Sequence, residues 1–118
     1  MKKDLEASTN SVSQFHAELN NEDYQSIYSQ ADQRFRDASK REDLFQLLGA
    51  VHRKLGTVQG AERQNFHVNF NTSGTQVVVT YNTKFSGGDA VEEFVWAKDG
   101  DTLRLLHYNI NSNALIVR

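Results

Sequence analysis

The chain has 118 residues, no cysteine, a formal net charge of −2, and charged residues amounting to 24% of the total with both signs interspersed. This length fits one domain able to bury a core without staples, and the lack of cysteine excludes disulfides and cysteine-based metal or redox centres. Nucleic acid is an unsuitable partner, because phosphate binding needs a concentrated basic surface, and no apolar run approaches membrane-spanning length.

The start, Met1-Lys2-Lys3-Asp4, has the basic beginning of a signal peptide without the apolar stretch that should follow. Two locations are compatible with it: the cell envelope or periplasm if a leader has been removed, and otherwise the cytoplasm.

Leu5, Val12, Phe15, His16 and Leu19 share one helical stripe, which predicts a helix over about 4–20. Asn20-Asn21 ends it, and either asparagine suits the cap of a second helix with Glu22 and Asp23 in its first turn. Tyr24, Ile27, Tyr28, Ala31 and Phe35 recur at spacings of three and four, predicting that helix over about 22–35. Ser39-Lys40-Arg41-Glu42 reads as a capping box opening a third helix over about 40–55. Its apolar face is Leu44, Leu47, Leu48, Val51 and Leu55, and Gly56 suits its left-handed stop. Gly49, inside this helix, costs about 1 kcal/mol against alanine; it marks close approach to another element or is merely tolerated.

After Gly56 the period changes from helical to alternating. Strands are predicted over about 57–71, 75–86, 89–98 and 102–112. Thr72-Ser73-Gly74 is a turn, and Gly87-Gly88 and Asp99-Gly100 read as two-residue hairpin loops. Gly60 marks a bulge or bend. These loops set Tyr81 opposite Phe94, Val79 opposite Trp96, Trp96 opposite Leu103, Phe94 opposite Leu105 and Glu92 opposite His107. One face then carries Val77, Val79, Tyr81, Thr83, Phe85, Ala90, Glu92, Phe94, Trp96, Leu103, Leu105 and His107, and should pack on the helices. The other carries Val78, Val91, Val95, Leu106, Tyr108 and Ile110 among polar neighbours. A half-apolar outer face points to a homodimer through the sheet; the plainer reading is scattered exposed apolar residues.

The chain is thus an α+β domain: three N-terminal helices packed on a four-stranded antiparallel sheet. This order resembles the cystatin-like, nuclear-transport-factor-like (NTF2-like) superfamily. Locally, Arg53-Lys54-Leu55-Gly56, Tyr81 to Phe85 with Gly87-Gly88, and Asp99-Gly100 with Leu103 to Ile110 look like small bacterial domains of unknown function in that superfamily, often exported or lipid-anchored. In those domains the last strand usually begins with tryptophan, where this chain has Leu103. The resemblance implies a curved, cone-like sheet with a pocket at one open end. Isomerases of the superfamily use a carboxylate base with tyrosine and acid donors, but no such set transfers residue by residue to this chain.

Helices over a concave sheet tend to leave an apolar pocket. The residues expected to line it are His16, Tyr24, Tyr28, Tyr81, Thr83, Glu92, Phe94, Trp96 and His107. A non-enzymatic domain binding a small apolar ligand or a protein partner is the leading expectation, and a pure dimerisation or assembly module, with a filled core and no pocket, is a further one. The alternative is an isomerase- or dehydratase-like enzyme in which Glu92 orients His107 as a general base. The plainer account of Glu92 and His107 is a structural pair at a sheet end. His52 and His67 are expected to face solvent. No histidine pair has metal-ligand spacing, so neither a metal nor another cofactor is expected.

Overall fold

The computed structural model describes residues 2–112; the expected domain span of 1–118 runs past both ends of them. The element order is α1 (Lys2–Asn20), α2 (Tyr24–Gln30), α3 (Gln33–Ala38), α4 (Arg41–Leu55), then β1 (Val58–Asn71), β2 (Gly74–Phe85), β3 (Gly88–Asp99) and β4 (Thr102–Asn111). The sheet is an antiparallel meander in the order β1-β2-β3-β4.

Among the described residues four helices stand where three are expected. The apolar period through Ala31 and Phe35 continues, but Ala31 and Asp32 are extended and the helix is interrupted. Asp32 accounts for the break. Its carboxylate accepts the Arg34 backbone N–H at 2.9 Å and so caps α3, while its own N–H donates to the Leu105 carbonyl of β4 at 2.8 Å. Local capping by aspartate competes with helix continuation. Here it also satisfies the edge of the sheet. The expected caps move accordingly. Asp23, not an asparagine, caps α2 through the Ser26 N–H. Ser39 closes α3 rather than opening α4, whose N-cap Lys40 makes no side-chain capping bond.

The helices cover one face of the sheet. From α1, Val12, Phe15 and Leu19 are buried; from α4, Leu44, Leu48, Val51 and Leu55. Leu47, expected on that face, is 40% exposed. Asp4 pairs with Lys98 at 2.9 Å and holds the start of α1 to β3. At the other end of α1, Asn20 accepts the Val58 N–H at 2.8 Å. The tip of α4 nests on the β2–β3 hairpin. There Gly87 donates to the Leu55 carbonyl at 2.7 Å, and a Cβ on Gly87 would stand 3.0 Å from that oxygen.

Both hairpin loops differ by one residue from expectation. Phe85 pairs with Gly88, so the first loop is Ser86-Gly87; Asp99 pairs with Thr102, so the second is Gly100-Asp101. Moving a loop by one residue slides the pairing by two, which preserves the faces. Tyr81 therefore faces Glu92, Val79 faces Phe94 and Trp96 faces Leu105, yet Val77, Val79, Tyr81, Thr83, Phe85, Ala90, Glu92, Phe94, Trp96, Leu103 and Leu105 keep their inward side and are buried.

A β-bulge between Val95 and Trp96 on the β3–β4 ladder then changes the faces. Trp96 pairs with Leu105, but Val95 pairs with His107, leaving Leu106 as the extra residue. Beyond this point β4 is inverted relative to the expected pattern, as an inserted residue must make it. His107 turns to the exposed side, and Glu92 lies opposite Ile110 instead. Tyr108 and Ile110, expected outside, lie on the helix side, where Tyr108 is buried and Ile110 packs against the core. Of the residues expected on the outer face, Val78, Val91 and Val95 are there, and Val91 is 46% exposed.

Candidate functional site

Glu92 sits in the middle of β3 on the face covered by α1, with no exposed surface. A buried carboxylate is costly unless charge-assisted hydrogen bonds replace its water. Three side chains do so. His16 Nε2 lies 2.7 Å from Oε1, the Thr83 hydroxyl donates to Oε1 at 2.6 Å, and the Tyr108 hydroxyl donates to Oε2 at 2.6 Å. The donors come from α1, β2 and β4, so one carboxylate joins the long helix to three adjacent strands.

The ring of Tyr108 belongs to an aromatic cluster centred on Phe94. Phe15 meets Phe94 edge-on at 5.1 Å, Trp96 stacks on it at 5.7 Å, and Tyr108 leans on it at 5.2 Å. Burial pushes the Tyr108 phenol well above its ordinary pKa, and the neighbouring charge and hydrogen bond of Glu92 push it further. The hydroxyl is therefore held as a donor.

The residues named from the sequence divide into groups. His16, Thr83 and Glu92 come together at hydrogen-bonding distance. Tyr81, Phe94 and Trp96 are buried in the aromatic cluster. Tyr24 packs edge-on against Phe45, and the Tyr28 hydroxyl points to the Arg36 carbonyl, so both serve the helix layer. His107 does not reach Glu92; it borders a depression of 310 Å³ between α3, α4 and β4. His67 is exposed, and His52 is partly covered, 3.5 Å from Glu22. Tyr108 is the member of the cluster that sequence reasoning missed. A bulge without a glycine or another local signature offers no signal by which to find it.

Open space lies around this cluster rather than within it. The space beside Phe15, Ile27, Trp96 and Leu105 measures 40 Å³, room for a water or two. A cleft of 400 Å³ runs between α1 and the start of β1, bordered by Ser13, His16, Asn20, Val58 and Tyr81. A concavity of 740 Å³ crosses all four strands at one end of the sheet. Glu62, Asn82, Val91 and Asn111 line it as one cross-strand row, with Lys84 and Asp89 beside them. Among the described residues no three His, Cys, Asp or Glu side chains converge as a metal site, and no helix is long and apolar enough to cross a membrane.

No curated protein matches the chain. One family model does match, over residues 11–108, a stretch reaching from the middle of α1 past the bulge to Tyr108. With most of its length so matched, the chain belongs to DUF4019, a family of proteins of unknown function.

Proposed function

We propose that this domain is a non-enzymatic binding module that takes a small, partly apolar molecule in the groove across its four strands. The enclosure of Glu92 carries this reading. Its carboxylate has no exposed surface and is hydrogen-bonded to three side chains of its own chain, so it serves to hold the fold together. A general base must come within hydrogen-bonding reach of the proton it removes, and nothing from solvent reaches this carboxylate. The groove, by contrast, is open and combines an apolar surface at Val91 with polar groups at Asn82, Asn111 and Lys84, the mixture typical of small-molecule sites. The helices-then-meander order also supports placing the fold in the cystatin-like superfamily.

The test is a small-molecule screen by thermal shift, with binding mapped by amide chemical shifts. Hits should perturb Asn82, Val91 and Asn111, and Asn82→Trp, which fills the groove, should abolish their effect while leaving the protein folded. Hits that map elsewhere and survive Asn82→Trp would sink the reading.

A second reading rests on one observation: His16, held by Glu92 at 2.7 Å, borders the cleft between α1 and β1. An imidazole oriented by a buried carboxylate is a workable general base. Turnover lost in His16→Ala but retained in Asn82→Trp would favour this reading over the first.

A further inference from the structure

The sheet has two edges, and they are treated differently. On β4 the Leu105 carbonyl is taken by the Asp32 N–H. On β1, among the described residues, only the beginning is covered, where the Asn20 side chain binds both the N–H and the carbonyl of Val58. Beyond Val58, among the described residues, the one strand that β1 pairs with is β2. Open edges of this length are usually protected by charge, proline, bulges or brevity, and the two bulges of β1, at Gln59 and Gln64, both precede Phe66. β1 has 14 residues, and from Gln64 to Gln76 the chain contains no proline and no Lys, Arg, Asp or Glu. Phe66 and Val68 lie on the helix side of the sheet, opposite Val79 and Val77. At Phe70 the strand has run past its cover, and this ring is 76% exposed.

We propose that two copies of this chain pair antiparallel along β1, about a two-fold axis at Val68, and join their sheets into one of eight strands. A two-fold contact must be self-complementary. Phe66-His67-Val68-Asn69-Phe70 has the same apolar and polar pattern in both directions. An axis at Val68 sets Val68 against its own copy, Phe66 against Phe70 and His67 against Asn69. Asn65–Asn71, the bulge-free part of β1, carries no formal charge, so no charge meets a like charge across this contact. An axis two residues earlier, at Phe66, would instead run the paired segment into the bulge at Gln64 and set Val68 against that irregular residue. The bulge and the apolar pattern together therefore select one register.

The area sets the strength. A stable interface buries about 1,200–2,000 Å². Four phenylalanine rings at about 150–250 Å² each, two of them already partly buried, place this contact at the low end. The dimer is thus reversible and concentration-dependent. It does not depend on the groove reading.

Sedimentation velocity of the full chain from about 10 to about 500 µM tests the proposal. The wild type should shift from monomer to dimer across this range, and Phe70→Lys should stay monomeric at the top of it with an unchanged far-ultraviolet spectrum. Because the chain has no cysteine, Val68→Cys introduces a single thiol. On the axis it should form cross-linked dimer at least about tenfold faster than Gln59→Cys, since directly opposed positions come within disulfide reach. A wild type that stays monomeric throughout, equal cross-linking of the two cysteine variants, or a dimer that survives Phe70→Lys and is lost in Val91→Lys would each overturn it. The last result would assign the contact to the outer sheet face.

Discussion

Replacing Tyr108 by phenylalanine removes one oxygen and leaves the ring in place against Phe15 and Phe94. What is lost is the 2.6 Å bond to Glu92 Oε2, the one hydrogen bond that this oxygen receives among the described residues. A hydrogen bond to a charged group is worth about 1.5–3 kcal/mol, and more when its loss leaves a buried charge short of a donor. For a domain of this size each kcal/mol moves Tm by roughly 3–6 °C, so Tyr108→Phe should lower Tm at pH 7 by roughly 5–15 °C. The same residue predicts a pH dependence. Its folded pKa is raised above the unfolded value of 10.0. The neutral phenol is therefore favoured in the native state, and its contribution is complete below pH 10. As pH rises through 10 toward the folded value, the unfolded chain loses this proton while the native chain retains it, and stability falls. Urea denaturation of wild type and variant at pH 7 and in steps above pH 10 measures both effects. The two curves should converge in alkali, because the variant has no such group to lose. A variant within about 0.5 kcal/mol of wild type at pH 7, a difference no larger than that of an ordinary surface change, would refute the view that Tyr108 is a required donor to Glu92. Parallel loss above pH 10 would refute the raised phenol.

His16→Ala should destabilise the fold by about 1–3 kcal/mol, since it removes a donor from the buried carboxylate, whereas His107→Ala should change stability by no more than about 0.5 kcal/mol; thermal melts of the pair test the register beyond the bulge, and equal losses would contradict it. Gly49→Ala should stabilise by about 0.5–1 kcal/mol, because the nearest atom to the added methyl is the movable Arg53 guanidinium at 3.2 Å; a loss in urea midpoint would show that this side chain is held in place. Gly87→Ala should cost about 1–3 kcal/mol, because its methyl would crowd the Leu55 and Lys54 carbonyls, which are backbone and cannot turn aside; a variant as stable as wild type would show that the hairpin can lift from α4.

The amino-acid sequence by itself determined the change from helical to alternating period at Gly56, the helix-side face of β2 and β3, and the placement of Glu92 within that face. These follow from local chemistry: spacing along the chain selects the element, and the twofold repeat of a strand makes its faces robust even when both loops are misjudged by a residue. The stop at Gly56 was legible for the same reason, and that glycine has φ +83°. The interruption at Asp32 was not, because the apolar period runs through it unbroken and its N–H is spoken for by a carbonyl more than 70 residues away. Only the tertiary structure decided which side chains complete the buried cluster. A strand without the extra residue Leu106 would have turned Tyr108 outward and His107 inward. The bulge instead places an apolar ring with one donor beside Phe94 and Glu92, where the core needs area and the carboxylate needs a hydrogen bond. That choice depends on what lies across the sheet, and no pattern within β4 records it.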